Sequence, residues 1–134
     1  MDTQYIFTYG TLKRGFCNNG WIEHLEFISE ATTCEKYQMY PCSNYAFPFV
    51  IKSERNNTIL GEVYKLNTKE DLQSLDELEG YPNLYLRENT KVKLINGIVI
   101  EAIIYLKNEE QYIDFIKLDD PILSWTKEVS SSEF

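Results

Sequence analysis

Three acids fall within four residues of one another at Asp76, Glu77 and Glu79, and their spacing gives them different surroundings. Thr68 reads as a helix N-cap with Asp71 three residues on, in the manner of a capping box, and Gly80 followed by Pro82 reads as a stop signal. The segment between is then a helix of about three turns. With successive residues ~100° apart, Leu72, Leu75 and Leu78 mark the face to be buried, and Glu79 falls on that face. Glu77 points almost opposite and Asp76 sits at the flank. A partly desolvated carboxylate in the last helical turn, where the dipole disfavours negative charge, should have a raised pKa, which suits a general acid/base near neutral pH. A rim residue whose stem covers the leucines while its head reaches water has the same spacing, so periodicity leaves both readings open.

The second stretch with chemical potential is Gly10-Thr11-Leu12-Lys13-Arg14-Gly15, a loop bracketed by glycines. Backbone N–H groups in such a loop are unpaired by any sheet and can be offered to a small anion such as a carboxylate. A plain turn fits the same residues. The Gly-x-x-x-x-Gly-Lys spacing of a phosphate-binding loop is not met. Cys17, Cys34 and Cys42 are odd in number and lack Cys-x-x-Cys spacing, so neither a disulfide framework nor a zinc site is signalled. The single histidine, His24, cannot build a multi-histidine metal site, and a Cys/His nucleophile pair would need it to meet one of the cysteines in space. Packing or capping is the expected use of His24.

The rest of the chain must position these two stretches. At 134 residues it has room for one domain with a real core. A net charge of −8 without clustered Lys and Arg argues against nucleic acid as a partner. No apolar run approaches the ~20 residues of a membrane span, and Met-Asp-Thr-Gln lacks the basic and apolar regions of a signal peptide, so a cytoplasmic protein with no membrane partner is expected.

Gln4 to Tyr9 reads as a strand ending at Gly10, and Asn18-Asn19-Gly20 as the start of a short helical segment carrying Trp21, Ile22 and Leu25. Phe27 to Tyr40 reads as a strand, and Pro41 to Tyr45 as irregular. Phe47 to Ile51 and Ile59 to Leu66 read as two strands of a hairpin across the polar turn Glu54 to Asn57. Leu84 to Ile95 and Ile98 to Leu106 form a second hairpin around Asn96-Gly97. Glu109 to Leu118 reads as helical until Asp119-Asp120-Pro121. The expected organisation is a domain over residues 1–118 and a C-terminal tail over 119–134. About six or seven strands with one clear helix argue for an α+β fold whose sheet is strongly curved or partly closed into a barrel. The absence of alternating βαβ units disfavours a doubly wound nucleotide-binding fold.

With Tyr9 to Gly15 and Leu75 to Arg87 both read, the chain resembles the gamma-glutamylcyclotransferase-like family, and within it the gamma-glutamylamine cyclotransferase branch. Phe47 to Ile51, Gly61-Glu62-Val63-Tyr64 and the strand of Tyr105 extend the resemblance over roughly residues 5–106, and the pairing of the two motifs is more specific than either alone. The resemblance implies a small mixed barrel with flanking helices, no metal or organic cofactor, and a small-molecule partner, a gamma-glutamyl compound from which 5-oxoproline is released. It makes Glu79 the catalytic glutamate and Tyr9, Gly10, Thr11 and Leu12 the substrate-holding turn. Tyr85 and Tyr105 match family positions that either bond the glutamyl carboxylate or pack in the core. Arg87, in the strand after the helix, is expected to pair with Asp76 or Glu77 and to serve structure only. Three functions follow as alternatives: a cyclotransferase on gamma-glutamyl amines such as gamma-glutamyl-lysine, the same chemistry on gamma-glutamyl amino acids or glutathione, and a non-enzymatic small-ligand binding module. The oligomeric state is left open.

Overall fold

Period-two alternation of apolar residues builds this protein, because alternate side chains of each strand leave for opposite faces. In the computed structural model, residues 3–10, 12–15, 19–41, 48–52, 58–82 and 85–107 are described. The strands are β1 (Gln4–Thr8), β2 (Glu26–Thr33), β3 (Tyr37–Pro41), β4 (Pro48–Lys52), β5 (Leu60–Leu66), β6 (Tyr85–Leu94) and β7 (Val99–Lys107), with helix α1 (Lys69–Glu79) between β5 and β6. Five of them close a barrel in the order β1-β5-β2-β6-β7, and β3 with β4 makes a separate two-stranded sheet. The ring is mixed: β1 runs parallel to β7 at Ile6 and Ile103, while the other four pairings are antiparallel.

Seven strands are present among the described residues, as the α+β reading expects, but the barrel itself uses five. One strand and one pairing differ from those read in the sequence. The run from Phe27 to Tyr40 is not one strand, because the chain bends at Cys34 and Glu35, where the Thr33 hydroxyl donates to the Glu35 carbonyl at 2.9 Å. The strand at Phe47 to Ile51 does not pair with the one at Ile59 to Leu66: β4 pairs with β3, from Tyr37 and Lys52 to Pro41 and Pro48. The reason lies in β5, which buries consecutive residues from Gly61 to Tyr64 and has β1 on one edge and β2 on the other. It has no edge left for β4.

Neighbouring strand residues sort into two cores. Phe7, Ala31, Val63, Val92 and Ala102, one from each barrel strand, join Tyr37, Met39, Val50 and Ile59 in one of them. Ile6, Tyr64, Leu66, Ile103 and Tyr105 join Leu12, Ile22, Leu25 and Leu75 in the other. α1 closes this second core with Leu75, which is fully buried and contributes roughly 2 kcal/mol. Leu72 and Leu78 pack at its margin.

The helix begins and ends as its sequence dictates. Asp71 N–H donates to the Thr68 hydroxyl at 3.3 Å and the Asp71 carboxylate accepts from Thr68 N–H at 2.9 Å. Gly80 takes φ = 69° as the left-handed cap, with Gly80 N–H on the Glu77 carbonyl and Tyr81 N–H on the Asp76 carbonyl. His24 serves the N-terminal cap, its Nε2 lying 2.9 Å from Asp71 Oδ1. Desolvation pushes the Asp71 pKa up, yet its bonds to His24, Thr68 and Asn67 outweigh this and hold the carboxyl below its ordinary value. Thr68→Ala is expected to cost about 1 kcal/mol of stability, read as a lower urea midpoint at unchanged slope.

The hairpin at Asn96-Gly97 joins β6 and β7, with Gly97 at φ = 92°. No helix among the described residues is long and apolar enough to cross a membrane. Cys34 is free and exposed, while Cys17, Cys42, the proposed helix at Glu109 to Leu118 and the tail from Asp119 lie outside the described residues.

Candidate active site

Glu79, Tyr9, Gly10, Tyr85 and Tyr105 stand at or near the ends of four elements. β1 runs out at Thr8 and delivers Tyr9 and Gly10; β6 opens with Tyr85; β7 brings Tyr105 near its far end; and α1 closes with Glu79. Tyr9, Leu12, Tyr85 and Tyr105 are buried, as is Gly10, and Glu79 is half-buried. Thr11 lies outside the described residues.

Hydrogen bonds tie these ends together. The Tyr9 hydroxyl donates to the Tyr105 carbonyl at 2.7 Å, and the Tyr105 hydroxyl donates to Asp76 Oδ1 at 2.7 Å. Arg87 Nε donates to the same oxygen at 2.8 Å, so Arg87 takes Asp76, the flanking acid, as partner. Burial pushes the Tyr9 phenol well above its ordinary pKa, and the neighbouring Tyr85 and the Glu79 charge push it further. Burial likewise raises Tyr105, with its bond to Asp76 and the charges of Asp76 and Glu79 adding to the effect. Both tyrosines are therefore neutral hydrogen-bonding groups at any working pH. The Glu79 charge opposes the ionisation of both phenols, and Tyr85 adds to the effect at Tyr9.

The loop after Tyr9 is a turn. Lys13 N–H closes it on the Gly10 carbonyl at 3.1 Å, a pattern in which the two intervening N–H groups take no part in the closing bond. Leu12 roots it in the core shared with Tyr85, Tyr105 and Leu75, and the Leu12 carbonyl accepts from Asn19 Nδ2 at 2.8 Å. Beyond the turn, Arg14 N–H donates to Glu62 Oε1 at 2.9 Å and Arg14 Nε approaches Glu62 Oε2 at 3.5 Å. The guanidinium lies 3.8 Å from the centre of the Phe27 ring. Lys13 lines an outer groove of about 340 Å³ with Glu30, Glu62 and Lys93. The side-chain charges of the loop are engaged on the β2 and β5 side.

Glu62 and Asn19 are the residues here that spacing did not single out. Glu62 is buried on β5 and accepts from Arg14 and, at 3.3 Å, from the Tyr64 hydroxyl, while Asn19 Nδ2 reaches the Tyr64 hydroxyl at 3.3 Å. A lone acid inside the apolar run from Leu60 to Leu66 was the available signal for Glu62, since a buried carboxylate needs donors. Asn19 carried no comparable signal. The arrangement can offer backbone N–H groups to a small anion and move a proton at one carboxylate, beside buried phenols.

Comparison with known proteins points the same way. The family model described as gamma-glutamyl cyclotransferase, AIG2-like, matches residues 6–126. A candidate gamma-glutamylcyclotransferase of Methanocaldococcus jannaschii is 37% identical over 107 residues, which cover 79% of this chain and 86% of that protein. Gamma-glutamylaminecyclotransferase A of Danio rerio is 34% identical over 108 residues, 75% of this chain and 66% of that protein. In fold, the chain is similar to the crystal structure of an AIG2-like protein of Mus musculus, with TM-score 0.83 at 21% identity over 94% of this chain and 90% of that one.

Proposed function

The chain belongs to the gamma-glutamyl cyclotransferase, AIG2-like family, and on that premise we propose that it releases 5-oxoproline and a free amine from gamma-glutamyl amines such as gamma-glutamyl-lysine. The observation that carries this reading is the location of Glu79, half-buried at the end of α1, from where its charge adds to the raised pKa of the Tyr9 and Tyr105 phenols. The choice of an amine substrate takes its support from the likeness to the Danio rerio protein. The likeness to the Methanocaldococcus jannaschii protein, whose name specifies no amine, supports the reaction class alone and keeps the second reading, the same reaction on gamma-glutamyl amino acids or glutathione.

The substrate carries both reactants on one chain, an α-amine and a γ-carbonyl, so enclosing it in a folded conformation makes the attack intramolecular. The α-amine is an ammonium at neutral pH and cannot attack. Glu79 as carboxylate takes one proton; the nitrogen lone pair then forms the ring C–N bond while the carbonyl π electrons move to oxygen. As the oxyanion collapses, the bond to the departing nitrogen breaks. Two protons leave the nitrogen that becomes the lactam and two arrive on the nitrogen that departs, so neither water nor an oxidant is consumed. Glu79 is the carrier, base first and acid second. Backbone N–H groups of Gly10, Thr11 and Leu12 hold the α-carboxylate or the developing oxyanion, which lets an acidic protein take an anionic substrate. Tyr85 and Tyr105 wall the pocket.

Incubation with gamma-glutamyl-lysine, other gamma-glutamyl amines, gamma-glutamyl amino acids and glutathione, followed by mass spectrometry of 5-oxoproline, tests the proposal. Fastest turnover of gamma-glutamyl-lysine is expected; preference for an amino-acid substrate selects the second reading, and turnover of none overturns both. Because Glu62 fastens the turn from behind, Glu62→Gln is expected to raise KM by roughly tenfold, the equivalent of about 1.4 kcal/mol, with kcat changed less. Steady-state kinetics on the best substrate of the panel checks it.

A further inference from the structure

Asp76 lies three residues before Glu79 on α1 and has no part in the proton transfers described above. One of its oxygens, Oδ1, receives two donors from the β6–β7 hairpin, the Tyr105 hydroxyl and Arg87 Nε. These two residues stand directly opposite each other in the register of β6 and β7. The same guanidinium lies 4.5 Å from the centre of the Tyr81 ring, so Arg87 touches the chain both before and after Glu79. The backbone spans the same interval, from Tyr81 N–H to the Asp76 carbonyl at 2.9 Å. The Tyr105 carbonyl then accepts the Tyr9 hydroxyl, and the path reaches the residue that precedes the Gly10 turn.

Glu79 is enclosed by these anchors at the place where a helix is most easily frayed, its last turn. An exposed ion pair would do little there. This one is mostly buried on the Asp76 side, with 18% of that side chain accessible, and its arginine is stacked on an aromatic ring. The hydrogen bond to Asp76 also raises the Arg87 pKa, so the guanidinium stays charged.

We infer that Asp76 is a positioning residue: with Arg87 and Tyr105 it fixes the last turn of α1 on the hairpin and so sets where the Glu79 carboxylate stands relative to the Gly10 turn. The inference rests on Glu79 as the proton carrier, for which an error of about 1 Å can cost on the order of 10²-fold in rate. Asp76→Asn keeps the shape and loses the charge. It should lower kcat by roughly 10- to 100-fold with KM nearly unchanged, and speed amide hydrogen exchange at Gly80 and Tyr81 by about tenfold or more, leaving β5 amides as they were. Tyr105→Phe keeps the carbonyl that holds Tyr9 and should act in the same direction, and the double variant should be no slower than the worse single one.

Unchanged exchange at Gly80 and Tyr81, or a kcat that survives while only the melting temperature falls, overturns the assignment. Strictly multiplying losses in the double variant do so too. Wild-type protein that turns over no gamma-glutamyl compound would defeat the cyclotransferase reading instead, and the exchange comparison would still decide whether Asp76 anchors the helix end.

Discussion

Glu79→Gln is expected to reduce 5-oxoproline release by about 10²- to 10⁴-fold, the range a positioned acid/base supplies, while ligand still binds. Glutamine matches the shape of glutamate and keeps an acceptor oxygen, so the last turn of α1 and its anchors at Asp76 and Gly80 have no reason to move. What it cannot do is take a proton. Without that step the substrate nitrogen remains an ammonium with no lone pair to donate, and intramolecularity alone cannot close the ring. The expected pH dependence has a definite sign. Glu79 must begin as carboxylate, so kcat/KM of the wild type falls as pH drops through its pKa, and that limb should vanish from the residual activity of the glutamine variant. Calorimetry with 5-oxoproline, alongside the rates, separates lost chemistry from lost binding. A variant that turns over within a few-fold of wild type would remove Glu79 from the mechanism.

Gly61→Ala is expected to be the most damaging small substitution in the barrel. A Cβ at this position would stand 2.3 Å from the Thr8 carbonyl oxygen and 2.6 Å from Cζ of Phe7. The carbonyl is backbone of β1, whose register with β5 runs from Gln4 to Thr8, so it cannot swing aside as a side-chain tip would. Relief requires β1 and β5 to separate and the Phe7 ring to shift within the core. The cost should be about 3 kcal/mol or more, at or beyond the upper end for overpacking, which corresponds to a fall in melting temperature of roughly 10 °C. Thermal unfolding followed by circular dichroism measures it. A shift of only a degree or two would mean that the two strands are further apart than described.

The parts of the fold that are legible in the sequence are those fixed by neighbours in the chain. Thr68, Asp71 and Gly80 define α1 through bonds that span three to five residues, and Asn96-Gly97 defines its hairpin in the same local way. Glu79 could be separated from Glu77 because one helical turn suffices to orient both. Strand partners are another matter. Nothing local says that β4 belongs to β3 and not to β5; that outcome depends on β1 and β2 occupying both edges of β5 from far along the chain. The same distinction holds in the site. Tyr105 is recognisable as a position, yet the destination of its hydroxyl, Asp76, depends on how α1 docks over β7. Arg87 had two candidate acids one residue apart, and the docking angle selects the first.

Among the described strands the single parallel pairing, Ile6 beside Ile103, makes the earliest wait for the latest. During synthesis β1 can find β5 but keeps one edge open until almost the whole described chain has emerged, a long-range closure that slows folding and leaves a row of backbone groups available to strangers. Tyr9 and Tyr105 hang from those two strands and are joined by a hydrogen bond. The candidate site is therefore assembled by the act of closure, and recovered burial of Tyr9 and Tyr105 on refolding would report that the ring has shut.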